Sequence, residues 1–228
     1  MKNIFIAGNW KSNKTIADAK EWLDQFIVHS SSFIGDLGDT TVVALAPFIT
    51  LSPLSEEIKK KNVRLLLGAQ NISKFDEGAY TGEVTGKMVK EVADWVIIGH
   101  SERRKYFGET DTDLATKAEK AHAAGLKVIF CVPDDKTPVP ASSDVVGYEP
   151  VWAIGTGKTD SPDNANAVVA SIKGKTGAKI VIYGGSVTAD NVASFVATPS
   201  IDGVLPGGAS LDPEKFSQLI HAAAEAVR

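Results

Sequence analysis

Residues 127–150 read KVIFCVPDDKTPVPASSDVVGYEP, and the parsing of this stretch decides the architecture. Two runs within it, KVIFCV (127–132) and VVGYEP (145–150), are apolar without alternation. Strands buried on both faces of a parallel sheet have that pattern. Twelve residues join the runs, with prolines at 133, 138 and 140. A parallel crossover needs about a dozen residues at minimum, and interior prolines oppose helix. This crossover is therefore expected to carry no full helix. A wall thinned in this way could leave an apolar strip open to a subunit contact.

Working outward, the same kind of run recurs as IFIAGNW (4–10), VVALAP (42–47), RLLLGAQN (64–71), WVIIGHS (95–101), KIVIYGG (179–185) and GVLPGG (203–208). Helical patterns lie between them, at 16–28, 109–124, 161–173 and 212–227. Ser161-Pro162 and Asp212-Pro213 supply an N-cap followed by a first-turn proline. The KKK at 59–61 closes a further helix, where cations suit the negative end of the dipole. Eight strands with intervening crossovers favour a (β/α)₈ barrel over an open doubly wound sheet. No linker divides the chain, so residues 1–228 are expected to form a single barrel domain.

Composition narrows the function. At 43% hydrophobic and 23% charged, the chain is ordinary globular material. A formal net charge of -4 argues against a general nucleic-acid surface, though not against a local anion pocket. The single cysteine, Cys131, sits within a strand, where packing is its expected role, and excludes an internal disulfide framework. No apolar stretch approaches the length of a membrane span, and the opening residues lack the features of a signal peptide. The chain reads as soluble and cytoplasmic.

In a (β/α)₈ barrel the chemistry sits at the C-terminal strand ends. Asn9 and Lys11 follow the first strand, His100 ends the fourth and Glu149 ends the sixth. YGGSV (183–187) and LPGGASL (205–211) follow the last two strands, where backbone N–H groups can hold a phosphate. A carboxylate between Tyr148 and Pro150 is expected to be partly desolvated, and a desolvated carboxylate gains proton affinity. Together these groups make an acid–base site with an anion anchor. His29, His122 and His221 fall in helical segments and are read as structural.

The motifs AGNWKSN (7–13), IIGHSERR (97–104), GYEPVWAIGTGK (147–158), IYGGSV (182–187) and DGVLPGGASL (202–211) resemble, in order and over nearly the whole chain, those of the triosephosphate isomerase family. The resemblance implies a TIM barrel that interconverts dihydroxyacetone phosphate and glyceraldehyde 3-phosphate with no metal or organic cofactor. It makes Glu149 the base, His100 a neutral electrophile and Lys11 an electrostatic stabiliser with Asn9 beside it. Glu102 resembles a supporting carboxylate, and Leu205 an apolar neighbour of the base. Gly155, Ser186, Gly207 and Gly208 would bind the phosphate. Residues 152–160 would close as a lid between hinges at 150–152 and 158–160, bringing Ile154 over the base. Pro206 departs from the family pattern, which has a β-branched residue there, and proline lacks an N–H.

ISKFDEGAYTGEVT (72–85) resembles the family's interdigitating loop, with Thr81 reaching a partner's site, which implies a homodimer and leaves a tetramer open. Two rival readings remain at this stage. One is another phosphosugar-processing barrel, and the other is a non-catalytic barrel that binds sugar phosphates.

Overall fold

The computed structural model describes residues 2–33, 35, 37–38, 40–152 and 159–228. Its strands are β1 (Phe5–Asn9), β2 (Thr41–Ala46), β3 (Leu66–Ala69), β4 (Trp95–Ile98), β5 (Lys127–Val132), β6 (Val145–Tyr148), β7 (Val181–Tyr183) and β8 (Gly203–Val204). They pair in parallel in chain order, and β1 closes on β8 through Phe5↔Gly203 and Ile6↔Val204. At that seam a Cβ on Gly203 would fall on the Phe5 carbonyl, so only glycine lets β8 dock.

The continuous apolar runs follow from this closure. Alternate residues such as Phe5, Ala7, Leu45, Ile97, Ile129 and Ile182 fill the barrel interior. Their neighbours, including Ile6, Ala44, Val96, Val128 and Val181, pack outward under the helices. Both faces are therefore dry, and no polar alternation survives in the strands.

The helices are α1 (Ile16–Ser30), α2 (Phe48–Lys61), α3 (Gly86–Lys90), α4 (Ser101–Phe107), α5 (Asp111–Ala123), α6 (Pro162–Thr176), α7 (Ala189–Val196) and α8 (Pro213–Glu225). The expected starts of α6 and α8 are present: Ser161 Oγ accepts from the Asn164 N–H, and Asp212 Oδ1 from the Lys215 N–H. Lys59, Lys60 and Lys61 end α2, and Asn62 closes it at φ 51, in the left-handed region. No helix among the described residues is long and apolar enough to cross a membrane.

The last two strands are shorter than their apolar runs. After Tyr183 and Val204 the chain turns into glycine loops, although Gly184 N still donates to Tyr148 O at 2.7 Å and Leu205 N to Tyr183 O at 2.8 Å. Between β5 and β6 there is no helix, in agreement with the three prolines. The expected apolar strip is absent, however. Val128, Phe130, Val132 and Val146 are all buried, and Val139 of the connection packs against the outer core. The extended chain covers the wall itself, so a subunit contact on that wall loses its support.

Candidate active site

The groups singled out at the strand ends meet at one rim of the barrel. Asn9 ends β1, and its Oδ1 accepts from the Lys11 N–H at 3.0 Å, drawing the chain into a tight turn. Lys11 itself sits at φ 53. Gln70, just beyond β3, donates from Nε2 to the carbonyls of Lys11 and Leu45, each at 2.9 Å. The sequence reading missed Gln70, and only its place after a strand end hinted at it. Lys11 Nζ then reaches Glu102 Oε1 at 2.7 Å.

His100 is presented by a turn that requires glycine. Gly99 has φ +80, and a Cβ there would stand 2.9 Å from the Cys131 carbonyl oxygen. His100 caps α4, where the Glu102 N–H donates to its Nδ1 at 3.2 Å. A ring nitrogen that accepts from a main-chain N–H carries no proton, so the neutral ring bears its hydrogen on Nε2. Glu102 Oε2 also lies 3.7 Å from Nδ1, beyond hydrogen-bond length, and the closer main-chain donor sets the tautomer. Nε2 faces Glu149 Oε1 at 3.2 Å.

Glu149 stands just past β6, its N–H donating to Val132 O at 2.8 Å. Its residue is only 2% exposed, as expected of a carboxylate in that position. The second oxygen accepts from the Ser101 N–H at 2.9 Å. No arginine pairs with it among the described residues. Gly184 makes room for it, since a Cβ there would lie 3.0 Å from Glu149 Cγ, while Gly185 makes room for Tyr183, whose hydroxyl its Cβ would strike. On the barrel side, burial and then the Glu149 carboxylate push the Cys131 thiol well above its ordinary value.

A cavity of about 290 Å³ opens between these groups. Asn9, Lys11, His100 and Glu149 line it, together with Gly184, Gly185, Ser186, Leu205, Gly207 and Gly208. That volume suits a molecule of a few carbons with one anionic group better than a large cofactor. Lys11 Cε lies 3.4 Å from where a Gly207 Cβ would stand, so the cation borders the glycine loop. Among the described residues, no cluster of three or more His, Cys, Asp or Glu side chains is arranged to hold a metal ion.

Ile154 and Gly155, with the rest of 153–158, lie outside the described residues. At the edges of that segment Trp152 is 56% exposed, and the Asp160 N–H donates to the Tyr183 hydroxyl at 2.9 Å. Thr81 is exposed and does not line the cavity of its own chain. Its loop is tied to the barrel by Lys74–Asp113 at 2.5 Å and Lys120–Asp76 at 2.6 Å, and Phe75 stacks on Tyr80 with ring centroids 4.1 Å apart. Another hollow, of about 330 Å³, adjoins Lys11 and His100 and is lined in part by Phe48, Gln70, Ile97, Arg103 and Phe107.

Comparison with known proteins bears on this geometry. The triosephosphate isomerase family model matches residues 4–141 and 135–223, the two segments overlapping at 135–141 inside the helix-free connection. The chain is similar to a triosephosphate isomerase of Mesomycoplasma hyopneumoniae strain 232, at 40% identity over 96% of this chain and 99% of that protein. It is likewise similar to those of Synechocystis and Trichodesmium erythraeum, each at 41% identity over 97% of this chain and 99% of the relative.

Proposed function

The chain belongs to the triosephosphate isomerase family, and from that premise we propose how its residues interconvert dihydroxyacetone phosphate and glyceraldehyde 3-phosphate. Glu149 removes a proton from the carbon beside the carbonyl and returns it to the neighbouring carbon. Loss of that proton puts negative charge on the carbonyl oxygen, giving an enediolate. His100 Nε2–H donates to the two substrate oxygens in turn, and the Lys11 ammonium offsets their charge, with Asn9 fixing the turn that carries it. Neutral imidazole suits this work, because a donor of matched acidity can give and regain a proton; the family is itself the usual illustration of that tuning.

The observation that carries the reading is the 3.2 Å approach of His100 Nε2 to Glu149 Oε1 on the wall of a cavity that Lys11 also lines. Acid, base and cation thus share a space sized for a triose. Without substrate, Glu149 accepts from the Ser101 N–H, and its other oxygen lies 3.2 Å from His100 Nε2. Substrate oxygens would receive the His100 Nε2–H, with the carboxylate beside them free to act. Glu102 would hold Lys11, and Leu205 would keep the base dry.

The phosphate is read as bound by the amides of Gly207 and Gly208, with Ser186 and Gly155. Pro206 is not asked to donate, so its missing N–H costs nothing there. Closure of residues 152–160, with Ile154 moving over the base, is carried over from the resemblance; it would exclude water and hold back elimination of phosphate from the enediolate. We read residues 1–228 as one domain and the protein as a cytoplasmic homodimer. In that dimer the 72–85 loop of a second copy, Thr81 leading, would enter the hollow beside Lys11 and His100.

The test is a coupled assay of the purified protein and of Glu149→Gln. Removing a general base costs about 10²–10⁴-fold in rate, so kcat should fall by that much while phosphate still binds. Turnover at the wild-type rate in the variant refutes the assignment of the base. Phosphate binding without any turnover in the wild type would favour a non-catalytic binder instead.

A further inference from the structure

The turn at 206–211 has to keep its amides aimed at the cavity, and it is pinned from behind. The Asn9 N–H donates to Pro206 O at 2.8 Å. Ser210 donates to Gly207 O from its N–H at 2.9 Å and from its Oγ at 2.7 Å. Within a trans peptide the carbonyl and the following N–H point in opposite directions. Holding the Pro206 carbonyl therefore orients the Gly207 N–H, and holding the Gly207 carbonyl orients the Gly208 N–H. Neither amide donates to any described residue. Farther along, Trp22 Nε1 donates to Ser210 O at 3.1 Å, and Lys14 Nζ donates to Leu211 O at 2.8 Å.

Lys14 is the unexpected member of this set. It lies at φ 76, in the left-handed region that glycine occupies freely and a lysine rarely does. Its ammonium sits 5.3 Å over the Trp10 ring as well as on the Leu211 carbonyl. Burial lowers the affinity of its amine for a proton, and Asp18 and Asp212 work against that from a distance. A side chain kept half out of water, on a backbone that suits glycine better, is held there for its contacts.

We propose that Lys14 is a positioning residue for the phosphate subsite: bridging Trp10 and the Leu211 carbonyl, it locks the 206–211 turn onto the loop that bears Asn9 and Lys11. The proposal rests on the assignment of Gly207 and Gly208 to the phosphate. Through this link the cation at the carbonyl end of the substrate and the amides at its phosphate end keep a fixed separation.

The test compares the wild type with Lys14→Met, Lys14→Arg and Lys14→Gly. It reads binding of inorganic phosphate by phosphorus NMR titration, KM and kcat for the triose phosphate, and kcat/KM for glyceraldehyde, which lacks the phosphate. A hydrogen bond from a charged donor corresponds to about tenfold in affinity. Lys14→Met should therefore weaken phosphate binding and raise KM by about that factor, leaving the glyceraldehyde reaction within about twofold. Lys14→Arg should restore both, because it can still donate to Leu211 O and lie on Trp10. Lys14→Gly, relaxed at this φ, should behave as Lys14→Met and serves in its place if the methionine variant does not fold.

Unchanged phosphate binding in Lys14→Met, or an equal loss on glyceraldehyde, overturns the proposal. A wild type that binds phosphate without interconverting the triose phosphates overturns the isomerase reading alone, since the comparison of phosphate affinities still stands. A wild type that binds no phosphate overturns both.

Discussion

Replacing Gly184 with alanine tests how tightly the base is placed. Gly184 is absent from the residues with positive φ, so an alanine meets no backbone penalty there. The added Cβ would stand 3.0 Å from Glu149 Cγ, 3.2 Å from Tyr148 O and 3.5 Å from Leu205 Cδ2. Ordinary carbon–carbon contact is about 3.5–4.0 Å, so the neighbour must give by a few tenths of an ångström. The Tyr148 carbonyl cannot, because it accepts from Gly184 N at 2.7 Å across the β6–β7 seam. The Glu149 side chain is left to move, while its N–H stays tied to Val132 O. A misplacement of about 1 Å at a reacting group costs about 10²-fold, so a shift of a few tenths of an ångström is expected to lower kcat by about 3–10-fold with KM little changed. Overpacking of this kind costs about 1–3 kcal/mol of stability, which for a chain of this size is a fall of about 2–12 °C in Tm. Coupled kinetics and a calorimetric melt on the same preparation measure both. A lowered Tm with kcat within about twofold of wild type would refute the reasoning, because the clash would then exist without the base depending on its position.

Three further outcomes follow from the same structure. Gly174 lies exposed inside α6, and a Cβ added there would meet nothing within 4 Å, so Gly174→Ala should raise stability by about 0.5–1 kcal/mol, seen as a Tm increase with unchanged kcat. Asp113 is held down to about 2 by its bond to Lys74 and by the Thr110 hydroxyl and N–H. Its folded value lies below its ordinary value of 3.8, so its contribution is full above that pH and is lost as pH falls toward about 2. The Tm gap between wild type and Asp113→Asn should accordingly close over that window, and a gap that stays constant would contradict it. The Cys131 thiol, fully buried and pushed up by burial and by Glu149, should react with an alkylating agent only as fast as the barrel opens. Labelling at the rate of a free thiol in native buffer would refute that.

The barrel was legible because its strands are dry on both sides: runs such as VVALA and KVIFCV carry no alternation, and that alone implies a sheet covered on each face. The ends of β7 and β8 were not legible, because the apolar run continues past the last ladder residue into loops whose purpose is to turn away. The members of the site at strand ends, Asn9, His100 and Glu149, could be placed from order along the chain. The partners that orient them could not. Gln70 holds Lys11 through a carbonyl, and the Glu102 N–H holds His100 through its ring nitrogen. Main-chain groups of this kind leave no mark in residue identity. Lys14 is opaque for the same reason: its role depends on a backbone angle and on a carbonyl 197 residues away.

The crossover between β5 and β6 shows why losing a helix need not loosen the site. β5 carries Cys131 and β6 delivers Glu149, and the base is registered to β5 through its N–H on Val132 O. Sliding of β6 along β5 would therefore move the carboxylate directly. A helix resists such sliding by packing; the extended connection resists it with polar clamps. Asp134 Oδ1 accepts from the Lys136 N–H, the Thr137 N–H and the Thr137 hydroxyl, each at 2.9 Å, which fixes the turn leaving β5. Asp135 then binds Ser171 at 2.5 Å and Lys175 at 2.6 Å on α6, and Asp144 accepts from the Val128 N–H at 2.8 Å where the chain re-enters the sheet. Three aspartates thus do locally what a helix would do by area, and Val139 closes the apolar wall between them. The prolines that exclude a helix also limit the freedom of this segment in the unfolded chain, so holding it extended costs less entropy than its length suggests.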